Sequence, residues 1–212
     1  MKLYLLDLGD GLSDPTFQKW SGIVSEERLK ALPRFRFRAD AERTLAGEIL
    51  ARAALSSVTA VPPSAIRFSR GPHGKPYATN SHGGPLPEFN VSHSGQIVAC
   101  AVSPGAVGVD VENIFSPDDA VLQRVCSPEE LRFVRSKPWL PPQGSAAFTL
   151  IWALKESYLK ALGTGLRDDL PDIDLAPFVA SVEAAPWTFV FDGHLFQAFF
   201  HKTYAVSVCE RI

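Results

Sequence analysis

The chain has 212 residues, 46% of them hydrophobic, and 21 Lys and Arg against 23 Asp and Glu give a formal net charge of −2. That content suffices for a buried core in one domain or two small ones, and the charge argues against a protein that coats nucleic acid, which carries a basic excess. No stretch approaches the ~18 apolar residues that cross a bilayer, and three cysteines without CxxC spacing make no disulfide framework, so a cytoplasmic chain in a reducing compartment is expected.

In chain order, residues 1–8 read as a strand and not a signal peptide, because Asp7 interrupts the apolar run and no small-residue cleavage site follows. After a polar turn, a helix starts near Ser25, an N-cap with Glu26 and Glu27 in the first turn. A longer helix covers about residues 40–57, with Leu45, Ala46, Ile49, Leu50 and Ala53 facing a core, and Val61-Pro-Pro63 ends it. Residues 66–68 form a short strand, and 71–87, rich in Gly, Pro, Ser and Asn, read as loop. Strands at 89–91 and 97–102 flank Ser92-His-Ser-Gly95. A further strand covers 107–112. Ser127-Pro-Glu-Glu130 is a capping box that opens a helix to about Arg135. Residues 136–145 read as loop, 151–164 as helix, and 187–191, 195–200 and 204–209 as strands. Cys100 and Cys209 fall within strand-like runs as small buried hydrophobes. Helices followed by strands in both halves point to an α+β chain of two similar lobes, 1–104 and 105–212, with a ligand expected in the crevice between them.

Four segments and one basic run carry chemistry. Alternate side chains of a strand share a face, so Asp110 and Glu112 project together while Val109 and Val111 bury. Such a pair suits a hard cation such as Mg²⁺, which takes one or two carboxylates and fills its other positions with water and substrate phosphate; it also suits the solvated face of an edge strand. On the 151–164 helix, Ile151, Leu154, Tyr158, Ala161 and Leu162 form an apolar stripe. Trp152, Glu156 and Lys160 stand four apart on a neighbouring face, with Lys155 beside them. This fits a metal-phosphate site, with Glu156 as a third carboxylate, or a surface Glu–Lys pair. Ser92-His93 is an anion-approach loop or a plain turn, and Lys75, between Gly74 and Pro76, is an anchored cation or a solvated one. Arg34-Phe-Arg-Phe-Arg38, with Arg28, Lys30, Arg43 and Arg52, concentrates positive charge.

Together these segments resemble the 4′-phosphopantetheinyl transferases of the larger, surfactin-synthetase-activating (Sfp-like) type. The matching features are Gly74-Lys-Pro-Tyr77, Phe89-Asn-Val-Ser-His-Ser94, Gly108-Val-Asp-Val-Glu112, and Trp152-Ala-Leu-Lys-Glu-Ser157 with Lys160 and Gly163-Thr-Gly165, in the same order and at similar separations. Arg34-Phe35 and Asp40-Ala-Glu-Arg-Thr-Leu-Ala-Gly47 resemble the N-terminal pattern of that family. The resemblance implies a pseudo-dimer of two α/β lobes with coenzyme A between them. It implies transfer of 4′-phosphopantetheine to a serine of an apo acyl, peptidyl or aryl carrier domain, with release of 3′,5′-ADP, by a monomer with no nucleic-acid or membrane partner.

Carried over by position, Asp110, Glu112 and Glu156 would hold Mg²⁺, with Mn²⁺ as an alternative, and Lys155 and Lys160 would pair with phosphate oxygens. Lys75, Ser92 and His93 would line the nucleotide end, with His93 and Arg28 near the 3′-phosphate and Arg43 and Thr44 as secondary candidates for the same region. Glu156 is the candidate base. One departure stands out: Ala31 lies where the family often has a second basic residue, and Lys30 is on a different helix face. Arg132 and Arg135, with Phe133, Val134, Trp139 and Leu140, are a candidate docking surface for an acidic carrier, although Trp139 and Leu140 also fit intramolecular packing of a long loop. Three other readings compete. A non-catalytic coenzyme A or polyanion binder gains nothing from three acids beside its phosphate, and a nucleic-acid surface on the Arg/Phe run conflicts with the net charge. A Mg²⁺-dependent phosphohydrolase would use the same acids without needing a carrier.

Overall fold

The computed structural model describes residues 1–71, 74–136, 145–165, 169–180 and 186–212. The fold mixes helix and sheet, as an α+β chain does, and divides into two compact units, Met1–Val107 and Gly108–Ile212.

The first unit contains β1 (Lys2–Asp7), α1 (Asp14–Ser21), α2 (Glu26–Ala31), α3 (Arg38–Thr59), β2 (Ile66–Arg70), β3 (Pro76–Asn80), β4 (Glu88–Ser94) and β5 (Ile97–Ser103). Every residue of β5 is buried, because it is the middle strand of the order β1-β5-β4 and α3 packs on it. Both pairings are antiparallel. Gly95, at φ 54, makes the tight turn from β4 to β5, whereas Ser92, His93 and Ser94, expected in a loop or turn, continue strand β4 and pair with Ala99, Val98 and Ile97. Helix α3 approaches β4 closely at Gly47, where an added Cβ would lie 3.2 Å from Val91 Cγ1. Strands β2 and β3 form a separate hairpin. Two elements of this unit were not expected. Helix α1, N-capped by Ser13, occupies the polar turn, and β3 occupies part of the Gly/Pro-rich loop, because β2 supplies a partner whose register runs from Ile66↔Asn80 to Arg70↔Pro76.

The second unit takes in nearly all of β6 (Val107–Asn113), then α4 (Asp119–Val125), α5 (Pro128–Ser136), α6 (Ser145–Leu162), α7 (Ala176–Ala180), β7 (Trp187–Phe191), β8 (His194–His201) and β9 (Tyr204–Arg211). Its sheet order is β6-β9-β8-β7. Asp192-Gly193, at φ 47 and 69, is the two-residue turn joining the antiparallel β7 and β8. Helix α6 lies on β9 and buries Phe148, Ile151 and Leu154 in a core shared with Phe196 and Cys209. It begins six residues before the expected Ile151. The capping box forms as predicted: Ser127 Oγ accepts from Glu130 N at 3.0 Å, and Glu130 Oε2 accepts from Ser127 N at 2.8 Å. All three cysteines are buried thiols, and burial pushes those of Cys100 and Cys126 up to about 12. No helix among the described residues is long and apolar enough to cross a membrane.

Candidate active site

The second unit gathers the acidic residues where α6 crosses β6. The strand buries Val107, Val109 and Val111 on one face, and on the other it carries Asp110 into the interior, while Glu112, two residues on and on the same face as Asp110, is half-buried. Close approach depends on Gly108. A Cβ there would sit 1.9 Å from Ser157 O and 2.5 Å from Ala161 N, so the α6 backbone lies directly on the strand. That seat brings Lys160 Nζ to 2.5 Å from Asp110 Oδ1. Glu156, one helical turn before Lys160, shares its face. Its Oε1 is buried with no hydrogen-bond partner among the described residues. Burial raises the Glu156 carboxyl, Lys160 opposes that rise, and Asp110 adds to it, which places the two acids within each other's field.

Among the described residues no three His, Cys, Asp or Glu side chains lie close enough to hold a metal ion, so Asp110, Glu112 and Glu156 do not form a ready three-ligand cluster. The residues nevertheless fit a Mg²⁺ ion of the kind that takes one or two carboxylates. Two acids influence each other in a partly desolvated site, and one buried Glu156 oxygen accepts no hydrogen bond there.

Lys155 corrects the sequence reading. Its side chain is 1% exposed, and Nζ donates to Glu130 Oε2 at 2.6 Å, Val125 O at 2.7 Å and Leu170 O at 2.8 Å. An ammonium has three protons, and all three are used here. Lys155 therefore ties α6 to α5 and to the turn at Leu170, and it cannot reach a phosphate without breaking this network. Glu130 completes the network by accepting from Leu175 N at 2.9 Å, while Ser127 Oγ donates to Asp174 at 2.8 Å.

The first unit holds a cavity of about 270 Å³. Its helical wall is Thr44, Gly47, Glu48 and Ala51 of α3, at the i, i+3, i+4, i+7 spacing of one face, and its strand wall is Phe89, Val91 and His93 of β4. Arg28, Thr44 and His93 all line this cavity, and so does Ala31. Other expected residues are not among those lining it. Ser92 is buried on the opposite face of β4 from His93. Arg43 is engaged by Asp40 and by Gly95 O at 3.0 Å. Lys75 Nζ donates to Val107 O at 3.2 Å and lies 3.8 Å from Glu88. Arg52, counted in the basic run, is buried and paired with Glu48 at 2.7 Å, so its charge is spent inside the unit. The sequence reading missed Arg70 and Glu27 on this wall, although Arg70 stands five residues before Lys75 at the end of a strand.

Comparison with known proteins bears on both units. A family model of the 4′-phosphopantetheinyl transferase superfamily matches residues 106–209, and a model of the 4′-phosphopantetheinyl transferase N-terminal region matches residues 13–105. The chain is 33% identical over 168 residues to a 4′-phosphopantetheinyl transferase of Bacillus subtilis, across 78% of this chain and 72% of that one. This chain belongs to the 4′-phosphopantetheinyl transferase superfamily. It is also 34% identical over 169 residues to the 4′-phosphopantetheinyl transferase psf-1 of Bacillus pumilus, covering 78% of this chain and 70% of the relative. To the 4′-phosphopantetheinyl transferase Sfp of Bacillus subtilis strain 168 it is 31% identical over 166 residues, covering 78% and 72%.

For a phosphopantetheinyl transferase the expected carrier-docking surface needs revision. Phe133 and Val134 are buried in the second unit's core and present no surface. Arg132 is exposed and paired with Glu129, Arg135 is exposed, and Trp139 and Leu140 lie outside the described residues.

Proposed function

We propose that this chain transfers the 4′-phosphopantetheine group of coenzyme A to a serine hydroxyl of an apo acyl or peptidyl carrier domain, with chemistry at the α6–β6 site and a divalent cation, Mg²⁺ by default. Glu156 carries this reading. A carboxylate oxygen buried without a hydrogen bond lowers stability, and acids perturbed in this way by burial and a neighbouring acid are characteristic of functional sites. Asp110 and Glu156 would hold the cation, with Glu112 next along the strand. When bound, the cation neutralises charge on the pyrophosphate, the main demand of phosphoryl transfer.

The remaining work falls to side chains. The serine Oγ forms a bond to the phosphorus that bears pantetheine as the bond from that phosphorus to the bridging oxygen breaks, and 3′,5′-ADP leaves. The serine proton passes to Glu156, the carboxylate whose buried Oε1 accepts no hydrogen bond among the described residues. Lys160 supplies the ammonium for the phosphate oxygens. Arg28, Thr44 and His93 take the nucleotide end, with Lys75 beside it. Lys155 has no part in this scheme beyond holding α6 in place.

The test is intact-mass analysis of an apo carrier domain incubated with the chain, coenzyme A and Mg²⁺. The expected result is a gain of one phosphopantetheinyl group on the carrier serine, lost with EDTA and in Glu156→Gln. Metal-independent transfer would remove the cation, and carrier-independent breakdown of coenzyme A would identify a phosphohydrolase.

A further inference from the structure

The segment that leads into α3 exposes two aromatic rings and two uncommitted arginines. Residues 33–39 are all exposed, with Phe35 at 39% and Phe37 at 61%. Arg38 is spent locally, because it pairs with Asp14 at 3.1 Å and Glu42 at 2.8 Å and lies 3.9 Å over the Phe17 ring. The guanidinium groups of Arg34 and Arg36 make no ion pair or hydrogen bond among the described residues, and Arg36 rests 5.2 Å over the Phe37 ring. The segment is anchored from beneath. Leu32 opens a 3₁₀ turn that ends at Arg34, Phe35 N donates to Leu32 O at 3.3 Å, and Leu32 is buried with Ala41 and Leu45 of α3. Helix entry does not account for the exposed rings. Phe37 takes the N-cap position of α3, and its side chain accepts nothing from the first turn, whereas α1, α2 and α4 are capped by the side-chain oxygens of Ser13, Ser25 and Asp118. A ring in place of a capping oxygen breaks a local rule and gains little burial, which points to a role outside the fold. Arginines and aromatic rings together are what protein interfaces concentrate at their centres. Two free cations are too few for the other anionic surfaces, since anionic-lipid recognition takes clusters of roughly four to eight Lys or Arg and nucleic-acid binding takes a broad basic face.

We propose that residues 34–37 dock an acidic protein segment, whose carboxylates take Arg34 and Arg36 while an apolar side chain beside them packs on Phe35 and Phe37. A guanidinium pairs a carboxylate through two parallel hydrogen bonds, and the Phe37 ring holds that of Arg36 ready for it. None of these four residues lines the first-unit cavity or belongs to the α6–β6 site, so the inference stands apart from the coenzyme A reading.

The experiment is fluorescence anisotropy of a labelled peptide of Glu and Asp with Leu and Trp at helical spacing, titrated with the full chain, beside a peptide of Glu alone. Vesicles of phosphatidylserine and phosphatidylcholine and a single-stranded oligonucleotide are titrated in parallel. The wild type should bind the mixed peptide saturably and the Glu peptide about tenfold or more weaker, because the rings supply part of the affinity. Arg36→Ser should weaken the mixed peptide about tenfold, the loss of one charge-assisted bidentate contact. Arg67→Ser, which removes an exposed charge from β2, should change it less than about twofold. Phe37→Ser decides between docking and packing, because it restores a capping oxygen to α3. It should raise the melting temperature by roughly 2–4 °C and still weaken the mixed peptide about tenfold. A Phe37→Ser chain that binds as the wild type does, or one that melts lower, would overturn the assignment. So would a wild type that ignores the mixed peptide, binds the Glu peptide equally well, or prefers the vesicles or the oligonucleotide.

Discussion

Gly108→Ala should damage the α6–β6 site more than any other single methyl group. The new Cβ would lie 1.9 Å from Ser157 O, 2.5 Å from Ala161 N and 3.0 Å from Lys160 C. These are backbone atoms, so no rotamer change relieves the clash, and the helix must retreat by about 1.5 Å to reach ordinary contact. Retreat is resisted, because Phe148, Ile151 and Leu154 of the same helix are already packed in the core. Overpacking of this kind costs ~1–3 kcal/mol, and the backbone contact puts Gly108→Ala at the upper end. A chain of 212 residues loses ~2–4 °C of melting temperature per kcal/mol, so the transition should fall by roughly 6–12 °C. The same retreat moves Glu156 and Lys160 away from Asp110, and a displacement of ~1 Å at reacting groups can lower a rate ~100-fold. The assay is a thermal melt followed by near-ultraviolet circular dichroism, paired with carrier transfer measured well below the lowered transition. Gly9→Ala is the control: its φ of +54 brings strain, but its Cβ meets nothing within 4 Å. A Gly108→Ala chain that melts within ~2 °C of wild type and transfers at its normal rate would refute the claim that helix seating builds the site.

Lys155→Ala strips the ammonium from Glu130, which is 0% exposed, and should lower stability by ~3–5 kcal/mol in urea denaturation; an unchanged midpoint with lost transfer would make Lys155 catalytic after all. Glu156→Gln should cut transfer by at least ~100-fold while holding or raising the melting temperature, since a neutral amide escapes both the burial penalty and the field of Asp110. A fall of several degrees would instead mark Glu156 as structural. Burial raises the Glu156 carboxyl above its ordinary 4.5, so the protonated, inactive form persists to higher pH than for an exposed Glu, and transfer should decline as pH falls through that raised value. Mg²⁺ favours the ionised form, so the acid limb should move to lower pH as Mg²⁺ is raised. Rate profiles at two Mg²⁺ concentrations check this, and a limb that ignores Mg²⁺ would separate Glu156 from the cation.

Elements with a strong local signal were legible in the sequence. The capping box at Ser127 and the apolar stripe of α6 each state their geometry in a few residues. Elements whose signal is supplied by a partner were not. β3 reads as loop because Pro76 and Asn80 are poor strand formers, and only pairing with β2 makes it a strand. The long α3 shows little amphipathic contrast because it buries Glu48 and Arg52 as a pair, so burial there does not follow hydrophobicity. The first-unit cavity was half legible. His93 and Thr44 stand in recognisable motifs, but Arg70 belongs to the cavity only because the β2–β3 hairpin delivers it there.

The two lysines of Trp152-Ala-Leu-Lys-Glu-Ser-Tyr-Leu-Lys160 show what a motif leaves unsaid. Residues five apart on a helix are turned well away from each other, whereas residues four apart share a face. Helical period alone therefore pairs Glu156 with Lys160 and sends Lys155 elsewhere. In the structure Lys160 meets Asp110 on β6, and Lys155 points into the interior toward α5 and Leu170. The shared charge made the two lysines look like one phosphate clamp, but their surroundings divide the labour. A half-exposed ammonium can leave Asp110 for a phosphate at small cost, while a fully desolvated one is held by its three acceptors. Lys155 fixes the rotation of α6 about its axis, and that rotation delivers Glu156 and Lys160 to β6. Loss of Lys155 should therefore abolish transfer and stability together, whereas loss of Lys160 should remove transfer and leave the fold standing. Urea midpoints of Lys155→Met and Lys160→Met, measured beside their transfer rates, separate the two roles, and equal midpoints for both would overturn the division.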